Sequence, residues 1–323
     1  MAEQPSENEP GARVAVVIVT FNSGDVLAGC LRSLAGQVGV DLSAVVVADN
    51  ASKDDCVAIA EAATDLPVRV VQLGRNAGYA AAINAGTASL ELRKLDAVLI
   101  LNPDCRLRPD TLRILARALR QPGRAVAAPK LLNPDGSLQP SLRRTPTVGR
   151  ALAEAVIGGD RAGRIGTLGE LVFDPVAYEQ AGPVAWVTGA AMLVSAAAVR
   201  ELGPWDESFM LYSEETEYCL RATDRGWTLW YEPAAVVEHI GGESAVNPTL
   251  YALMVANKVV LFRRRRGVPA GFAYHAAVVL GEAIRAAAGR RVSRASLGPL
   301  LRPARRQELI DSLTGTKLTG AKP

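Results

Sequence analysis

The sequence predicts an α/β fold: a Rossmann-like, mostly parallel, doubly wound sheet with helices on both faces, followed by a helical C-terminal extension. Three observations predict it. Short continuous apolar runs at residues 14–19, 44–48 and 97–101 are rich in β-branched residues and too short for free-standing helices, which marks strands buried on both faces. Stretches with helical apolar spacing separate them, and strand–helix alternation implies parallel strands joined by right-handed crossovers. Each run then ends in polar turn residues, Thr20/Asn22, Asp49/Asn50 and Asn102/Asp104. That topology carries all three turns to one sheet edge, where open α/β sheets bind ligands.

Taken in order, residues 13–20 form a strand and Phe21 to Asp25 a turn, before a helix whose Val26, Leu27, Cys30, Leu31 and Leu34 repeat at helical spacing. A strand at residues 44–48 ends in Asp49-Asn50-Ala51-Ser52-Lys53-Asp54, where Ser52 or Asp54 can cap a helix through Ala63. A strand at 68–73 leads to Asn76-Ala77-Gly78-Tyr79, whose small residues allow close backbone approach. The run at 95–101 stops at Asn102-Pro103-Asp104, because proline cannot donate to a sheet ladder, and a helix starts near Pro109-Asp110-Thr111.

Beyond Pro129, Asn133-Pro134-Asp135-Gly136 is a turn. Arg143-Arg144 sets two guanidinium forks, a shape suited to phosphate, beside hydroxyls. Residues 150–182 read as helix plus loop, 185–194 as a strand, and 195–202 as a helix. Glu214, Glu215 and Glu217 crowd a helix start among Phe209, Leu211, Tyr212 and Leu220. Carboxylates at a helix N-terminus gain from its dipole, and partial burial would raise their proton affinity toward that of a general base. Residues 227–233 and 235–237 read as short strands, and His239 as lying in the glycine-rich turn after them. Residues 250–262 and 268–284 are two apolar segments separated by Arg263-Arg264-Arg265-Arg266, with Arg285, Arg290, Arg291 and Arg294 beyond. They are expected to form helices lying against the catalytic domain and the inner membrane face.

Composition narrows the function classes. A length of 323 residues, 49% hydrophobic and 21% charged, suits a globular chain with a large core. The net charge of +3, with basic residues gathered after residue 260, argues against a nucleic-acid binder. Cys30, Cys56, Cys105 and Cys219 contain no CxxC pair, so neither a disulfide framework nor a zinc site is expected and a reducing cytosol fits. Residues 1–12 lack the apolar core of a signal peptide and read as a disordered tail. No apolar run reaches the roughly 20 residues that span a bilayer, so no spanning helix is expected.

Together, Val19-Thr20-Phe21-Asn22, Asp49 to Asp54, Asn76-Ala77-Gly78-Tyr79, Leu101-Asn102-Pro103-Asp104, Val187-Thr188-Gly189-Ala190, Trp205-Asp206-Glu207, Glu214-Glu215-Thr216-Glu217 and His239-Ile240-Gly241-Gly242-Glu243-Ser244 resemble the family 2 glycosyltransferases with the GT-A fold, and within them the rhamnosyltransferase-like branch. The resemblance runs in order from about residue 13 to 266. It implies a glycosyltransferase domain over 13–248, with 13–128 as the nucleotide-binding half and 129–248 as the acceptor half, and a basic helical region over 249–323. It implies an inverting hexosyl transfer from a nucleotide-sugar donor, L-rhamnose from dTDP-rhamnose first among them, to a hydroxyl of a glycan or polyprenyl-linked glycan in cell-envelope polysaccharide synthesis. The expected cofactor is Mg²⁺ or Mn²⁺, and the expected location is cytoplasmic, peripheral on the inner membrane face.

Residue by residue, the resemblance implies that Thr20, Asn22 and Asp49 hold the pyrimidine nucleoside, Asp49 accepting from the ring N–H, while Asn76, Gly78 and Asn102 line the nucleotide site. Asp104 and His239 would hold the metal, Glu215 would be the base, and Trp186, Thr188, Gly189, Asp206 and Glu214 would shape the sugar and acceptor pocket. Two positions depart from the family pattern: Asn102 stands where the metal motif often has Asp, and Glu215 where the base is often Asp. Other donors, UDP-galactofuranose, UDP-glucose or UDP-GlcNAc, stay open, as does a non-catalytic sugar-nucleotide binding module. A dinucleotide oxidoreductase fits poorly, since Thr20-Phe21-Asn22-Ser23 follows the first strand in place of Gly-x-Gly-x-x-Gly.

Overall fold

The computed structural model describes residues 11–241 and 246–315. The expected tail therefore lies outside the described residues up to position 10, and Ala12 already opens the first strand; Gly242-Glu243-Ser244 also lies outside them. Strand and helix alternate through β1 (Ala12–Thr20), α1 (Gly24–Ala35), β2 (Val40–Asp49), α2 (Cys56–Glu61), β3 (Val68–Gln72), α3 (Tyr79–Ala88) and β4 (Ala97–Leu101). There follow β5 (Cys105–Leu107), α4 (Thr111–Leu119), β6 (Arg124–Leu132), β7 (Leu142–Arg143), α5 (Val148–Ile157), α6 (Gly159–Arg164), β8 (Gly182–Val184), β9 (Trp186–Val187) and β10 (Ala191–Ser195). The chain closes with α7 (Ala196–Leu202), α8 (Glu214–Asp224), β11 (Thr228–His239), α9 (Pro248–Ala287), α10 (Arg291–Leu301) and α11 (Pro303–Thr314).

The main sheet runs β3-β2-β1-β4-β10-β6-β11-β5, with β8 also paired to β11. The β1–β2, β1–β4, β2–β3 and β6–β11 ladders are parallel, so β1, β2 and β4 deliver Thr20, Asp49 and Leu101 to the same edge. Pleating sorts β1 between two cores. Val14, Val16 and Ile18 pack with Leu27, Leu34, Leu112 and Leu115 of α1 and α4, while Val17 and Val19 pack with Ile83 of α3 and with Tyr218 and Cys219 of α8. Both faces of β4 are covered, which is why its run could be continuously apolar.

Tertiary pairing redraws several expected elements. The run at 185–194 is two strands in two sheets: β9 pairs with β7, whereas β10 lies antiparallel between β4 and β6. The turn Thr188-Gly189-Ala190 divides them because the Gly189 and Ala190 carbonyls are drawn to Tyr79 and to the Asn102 N–H. The two expected strands at 227–237 are one, β11, with a register shift between Glu232 and Val236 where Pro233 cannot donate. His239 is the last residue of that strand and not part of the turn after it. Helix α2 ends at Glu61, short of Ala63, and Ser52 does not cap it; Asp54 Oδ1 accepts from Cys56 N at 3.2 Å.

The two expected C-terminal segments are two helical stretches that follow one another within α9, separated by a kink at Gly267 (φ 75°) just before Pro269. By length and composition α9 is long enough and apolar enough to cross a membrane. Its Arg263 to Arg266 run sits at the bend, however, and Tyr251, Val255, Phe262, Tyr274 and Val278 form a third core with Ala151 of α5 and Val292 and Leu300 of α10.

Candidate active site

At the ends of β1 and β2 the polar turns interlock. Thr20 Oγ1 donates to Asp49 Oδ1 at 2.8 Å, Ser52 Oγ donates to the same oxygen at 2.5 Å, and Ser52 N donates to Oδ2 at 2.9 Å. Asn22, with φ 51°, accepts from Lys53 N at 2.8 Å and donates its own N–H to Ser52 Oγ. Asn50 Oδ1 accepts from Ala77 N at 3.0 Å, which ties the second turn to the third. Thr20 is 0% and Asp49 1% exposed. Asp49 is thereby fixed at the strand end with Thr20: its Oδ1 accepts two hydrogen bonds and its Oδ2 one, which leaves Oδ2 a lone pair for a further donor. Phe21 is half exposed at that edge. Asn76 Nδ2 donates to Leu313 O of α11 at 3.1 Å, and Gly78, with φ 96°, lies so close to Met210 that a Cβ would strike its carbonyl.

After β4, Asp104 and His239 meet. His239 Nε2 lies 3.5 Å from Asp104 Oδ1, and Asp104 Oδ2 accepts from Gly241 N at 2.9 Å. Gln139 sets the tautomer. Its amide nitrogen donates to the His239 carbonyl at 3.2 Å and to Asn133 Oδ1 at 2.9 Å, so its oxygen faces His239 Nδ1 at 2.6 Å and that nitrogen carries the proton. Nε2 is left with a lone pair toward Asp104, the form a metal ligand requires. Burial lowers the His239 pKa against the opposing pull of Asp104, which favours the neutral ring. Cys105 Sγ lies in the same cluster, but its thiol donates to Ala190 O at 3.3 Å and burial pushes its pKa far up, so it is a poor ligand. Sequence reading found Asp104 and His239; it missed Gln139, whose partner lies 100 residues away.

Tyr79 joins this corner to the carboxylates. Its hydroxyl lies 2.9 Å from Asn102 Oδ1 and 2.8 Å from Gly189 O. A phenol has one proton and both of these oxygens accept, so Tyr79 donates to one of them at a time. The Asn102 amide nitrogen lies 3.4 Å from His239 Nε2 and faces the lone pair left there. Burial raises the Tyr79 pKa first, and the charges of Glu214, Glu215 and Asp104 add to it, so one phenol senses both sides of the site.

The carboxylates stand on a strained approach. Met210, Tyr212 and Ser213 have φ of 65°, 68° and 78°, conformations that cost non-glycine residues about 1–3 kcal/mol each. Asn257 of α9, fully buried, holds them: its amide donates to the carbonyls of Phe209 and Leu211 at 2.8 Å and of Tyr212 at 3.2 Å, and its oxygen accepts from Arg306 of α11 at 2.6 Å. Glu215 then faces a cavity of about 460 Å³ that it shares with Arg143, Trp186, Thr188, Met254 and Lys258. Glu214 is 2% exposed with Oε2 unpartnered among the described residues. Burial raises both carboxyl pKa values, with Glu215's charge adding to the effect on Glu214. Glu217 is spent on Arg221 at 2.9 Å.

Of the expected acceptor residues, Trp186 and Thr188 line the cavity, and Gly189 lies where a Cβ would touch Tyr79 and Glu215. Asp206 does not line it. Its Oδ1 accepts from Ser208 N at 2.9 Å and Oδ2 pairs with Arg264 at 3.0 Å, so it is a cap for the one-turn helix Glu207–Phe209. The sequence also concealed Asn257, since a lone asparagine inside an apolar helix carries no local sign of the loop it will hold.

Comparison with known proteins agrees with this geometry. The family description "Glycosyl transferase family 2" matches residues 15–168. The N-acetylglucosaminyl-diphospho-decaprenol L-rhamnosyltransferase of Mycobacterium tuberculosis is 32% identical over 241 residues, covering 69% of this chain and 75% of that protein. The low-salt glycan biosynthesis hexosyltransferase Agl10 of Haloferax volcanii is 25% identical over 210 residues, covering 65% of this chain and 61% of the relative. Among solved structures, the mannosyltransferase PcManGT of Pyrobaculum calidifontis, in complex with GDP-Man and Mn²⁺, superposes with a TM-score of 0.55 over 99% of this chain and 92% of that one at 18% identity. GalNAc-T7 with UDP, GalNAc and Mn²⁺ gives 0.57 over 78% of this chain and 48% of that one at 17% identity, a likeness of fold.

Proposed function

The chain belongs to the family 2 glycosyltransferases, with the GT-A fold, and from that premise we propose that it transfers L-rhamnose from dTDP-rhamnose to a hydroxyl of a polyprenyl-diphosphate-linked glycan in cell-envelope polysaccharide synthesis. The observation that carries the reading is the Tyr79 bridge, which sets the Asp104–His239 corner and Glu215 on two sides of one phenol. The mycobacterial relative, an N-acetylglucosaminyl-diphospho-decaprenol L-rhamnosyltransferase, supports the sugar and the acceptor class.

In this reading Thr20, Asn22, Asp49, Asn76, Gly78 and Asn102 line the nucleotide site. Asp104 and His239 would hold Mg²⁺ or Mn²⁺, cations that suit a carboxylate and an imidazole. When bound, such an ion neutralises the charge that develops on a diphosphate leaving group. Glu215 takes the proton of the acceptor hydroxyl as its oxygen attacks the anomeric carbon, the bond to the diphosphate breaks, and the configuration inverts. A base held above the usual carboxylate range is better matched to a hydroxyl than an ordinary one. Trp186, Thr188, Gly189 and Glu214 border the sugar and the acceptor.

The protein works in the cytoplasm, peripheral on the inner membrane face. Exposed Val268 and Phe272 just after the four-arginine run, with Arg290, Arg291 and Arg294 beyond, support that location. Arg264 and Arg265 contribute less, being paired with Asp206 and Asp224.

Transfer assays with dTDP-rhamnose, UDP-galactofuranose, UDP-glucose and UDP-GlcNAc on a lipid-diphosphate-linked GlcNAc acceptor test the chemistry. Product should form from dTDP-rhamnose and cease with a chelator; preference for another donor overturns the rhamnose assignment, and no product from any donor overturns the enzyme. Sedimentation with phosphatidylglycerol vesicles should pull the protein down at low salt, each basic residue near the surface contributing about 1 kcal/mol. Equal recovery with neutral vesicles removes the membrane component.

A further inference from the structure

Arg143 and Arg144 are neighbours in the chain but point to different fates, as alternate residues of an extended segment must. The Arg144 guanidinium is absorbed by the fold, its Nη1 donating to Gly169 O at 3.0 Å and Leu171 O at 3.5 Å. The Arg143 guanidinium makes no hydrogen bond or ion pair among the described residues, and its Nε is sealed from solvent without a partner. It lies with Cζ 5.5 Å from the Trp186 ring centroid, on the wall of the cavity that holds Glu215.

The other cations of that wall are accounted for. Lys258 pairs with Glu170 at 2.8 Å and Glu154 at 3.4 Å, Arg265 with Asp224 at 2.7 Å, and Arg285 with Glu282 at 2.7 Å; Arg266 and Arg290 are exposed to water. Arg143 is half-buried beside the base, whose carboxyl pKa its charge pulls down against burial, and no hydrogen bond joins the two among the described residues. Its planar fork is left without a hydrogen-bonding partner, and such a fork fits phosphate oxygens two at a time. The cavity also carries an apolar stretch, Met254, Val255, Leu261, Phe262 and Val278 of α9 and Ala155 of α5, beside the carboxylates Glu154, Glu170 and Glu282, which are paired with Lys258 and Arg285.

We propose that this cavity is the seat of an amphipathic acceptor, with its phosphate or diphosphate on Arg143, its apolar chain against α9 and α5, and its sugar hydroxyl delivered to Glu215. The proposal rests on the reading of Glu215 as the base of a lipid-linked acceptor site, and it assigns specificity for the anionic linker to one residue.

Calorimetry in the presence of a chelator, with farnesyl diphosphate as the probe, tests it without needing the sugar donor. Wild type should bind, and Arg143→Gln should weaken binding by about tenfold or more, the loss of a charged hydrogen-bonding pair. Arg143→Lys, which keeps the charge but not the fork and preserves the packing, should fall between, while farnesol should bind all three alike. Nucleoside diphosphate with Mn²⁺, titrated separately, should bind all three equally. Equal farnesyl diphosphate affinity in wild type and both variants, or no binding to wild type, overturns the proposal. Loss of nucleoside diphosphate affinity instead assigns Arg143 to the donor and also overturns it. Glu215→Gln should leave farnesyl diphosphate binding intact, so an Arg143-dependent probe site in a protein that transfers no sugar would locate the failure in the catalytic reading.

Discussion

The turns after β1 and β2 and the wall around Glu215 are both polar and both lie at the carboxyl edge of the sheet, yet they treat their hydrogen-bonding groups in opposite ways. Thr20, Asn22, Asp49, Asn50 and Ser52 satisfy one another or nearby backbone groups, and Asp49 is closed to solvent with hydrogen bonds to both oxygens. Around Glu215, by contrast, Arg143 Nε and Thr188 Oγ1 are buried without partners among the described residues, and Met210, Tyr212 and Ser213 are held in left-handed backbone conformations by Asn257. Buried polar groups are ordinarily paired, so the two unpaired ones beside Glu215 set this wall apart from the interlocked turns.

Replacing Glu215 by Gln should break the second region most. Size and hydrogen bonding persist but a proton can no longer be accepted, so the transfer rate constant should fall by roughly 10²- to 10⁴-fold with donor affinity nearly unchanged. Glu214→Gln should cost less, and Glu217→Gln least, because Glu217 is already paired with Arg221. The wild-type pH profile should carry the same signature. Since burial raises the Glu215 pKa, kcat/KM should climb with pH at values above the usual carboxylate range, and the limb should vanish in the Gln variant. For stability the sign is opposite. Carboxyls with raised folded-state pKa values stabilise the fold while protonated, and that contribution is lost as pH rises through those values. Glu214→Gln should therefore raise Tm at neutral pH relative to wild type and leave it unchanged in acid.

A smaller effect is expected at the metal corner. Asp104→Ala should weaken Mn²⁺-dependent nucleoside diphosphate binding by more than the roughly 10- to 100-fold that loss of an outer partner costs, with Tm preserved because Asp104 lies beyond the strand and outside the core. Unchanged calorimetric affinity would move the metal elsewhere. The smallest effect sharpens the contrast itself. Thr20→Val should cost about 1–3 kcal/mol of stability through the lost buried bond to Asp49, read as a lowered Tm. An unchanged Tm would mean that this bond does not hold the turns together.

Local chemistry made much of this protein readable from its chain. A strand covered on both faces must be continuously apolar, so β1, β2 and β4 declared themselves, and proline after Asn102 ended β4 where the structure ends it. Parallel connectivity then brought their turns to one edge without further information. The carboxylate cluster was visible as composition at a helix start, whereas the burial that sets its pKa direction came from the fold. Tertiary structure decided whatever depends on partners distant in sequence. Asp49 is fixed at the strand end because Thr20, 29 positions earlier, spends its proton on it. Gln139 determines the His239 tautomer across 100 positions, and Asn257 holds the loop before Glu215 across 45 to 48. Arg143 and Arg144 were indistinguishable as letters; the pairing of β7 with β9 sends one guanidinium to backbone carbonyls and leaves the other facing the cavity. Secondary structure follows from patterns within a few residues, whereas hydrogen-bond satisfaction, burial and strain are properties of whatever the fold brings within about 3 Å, and no local pattern encodes them.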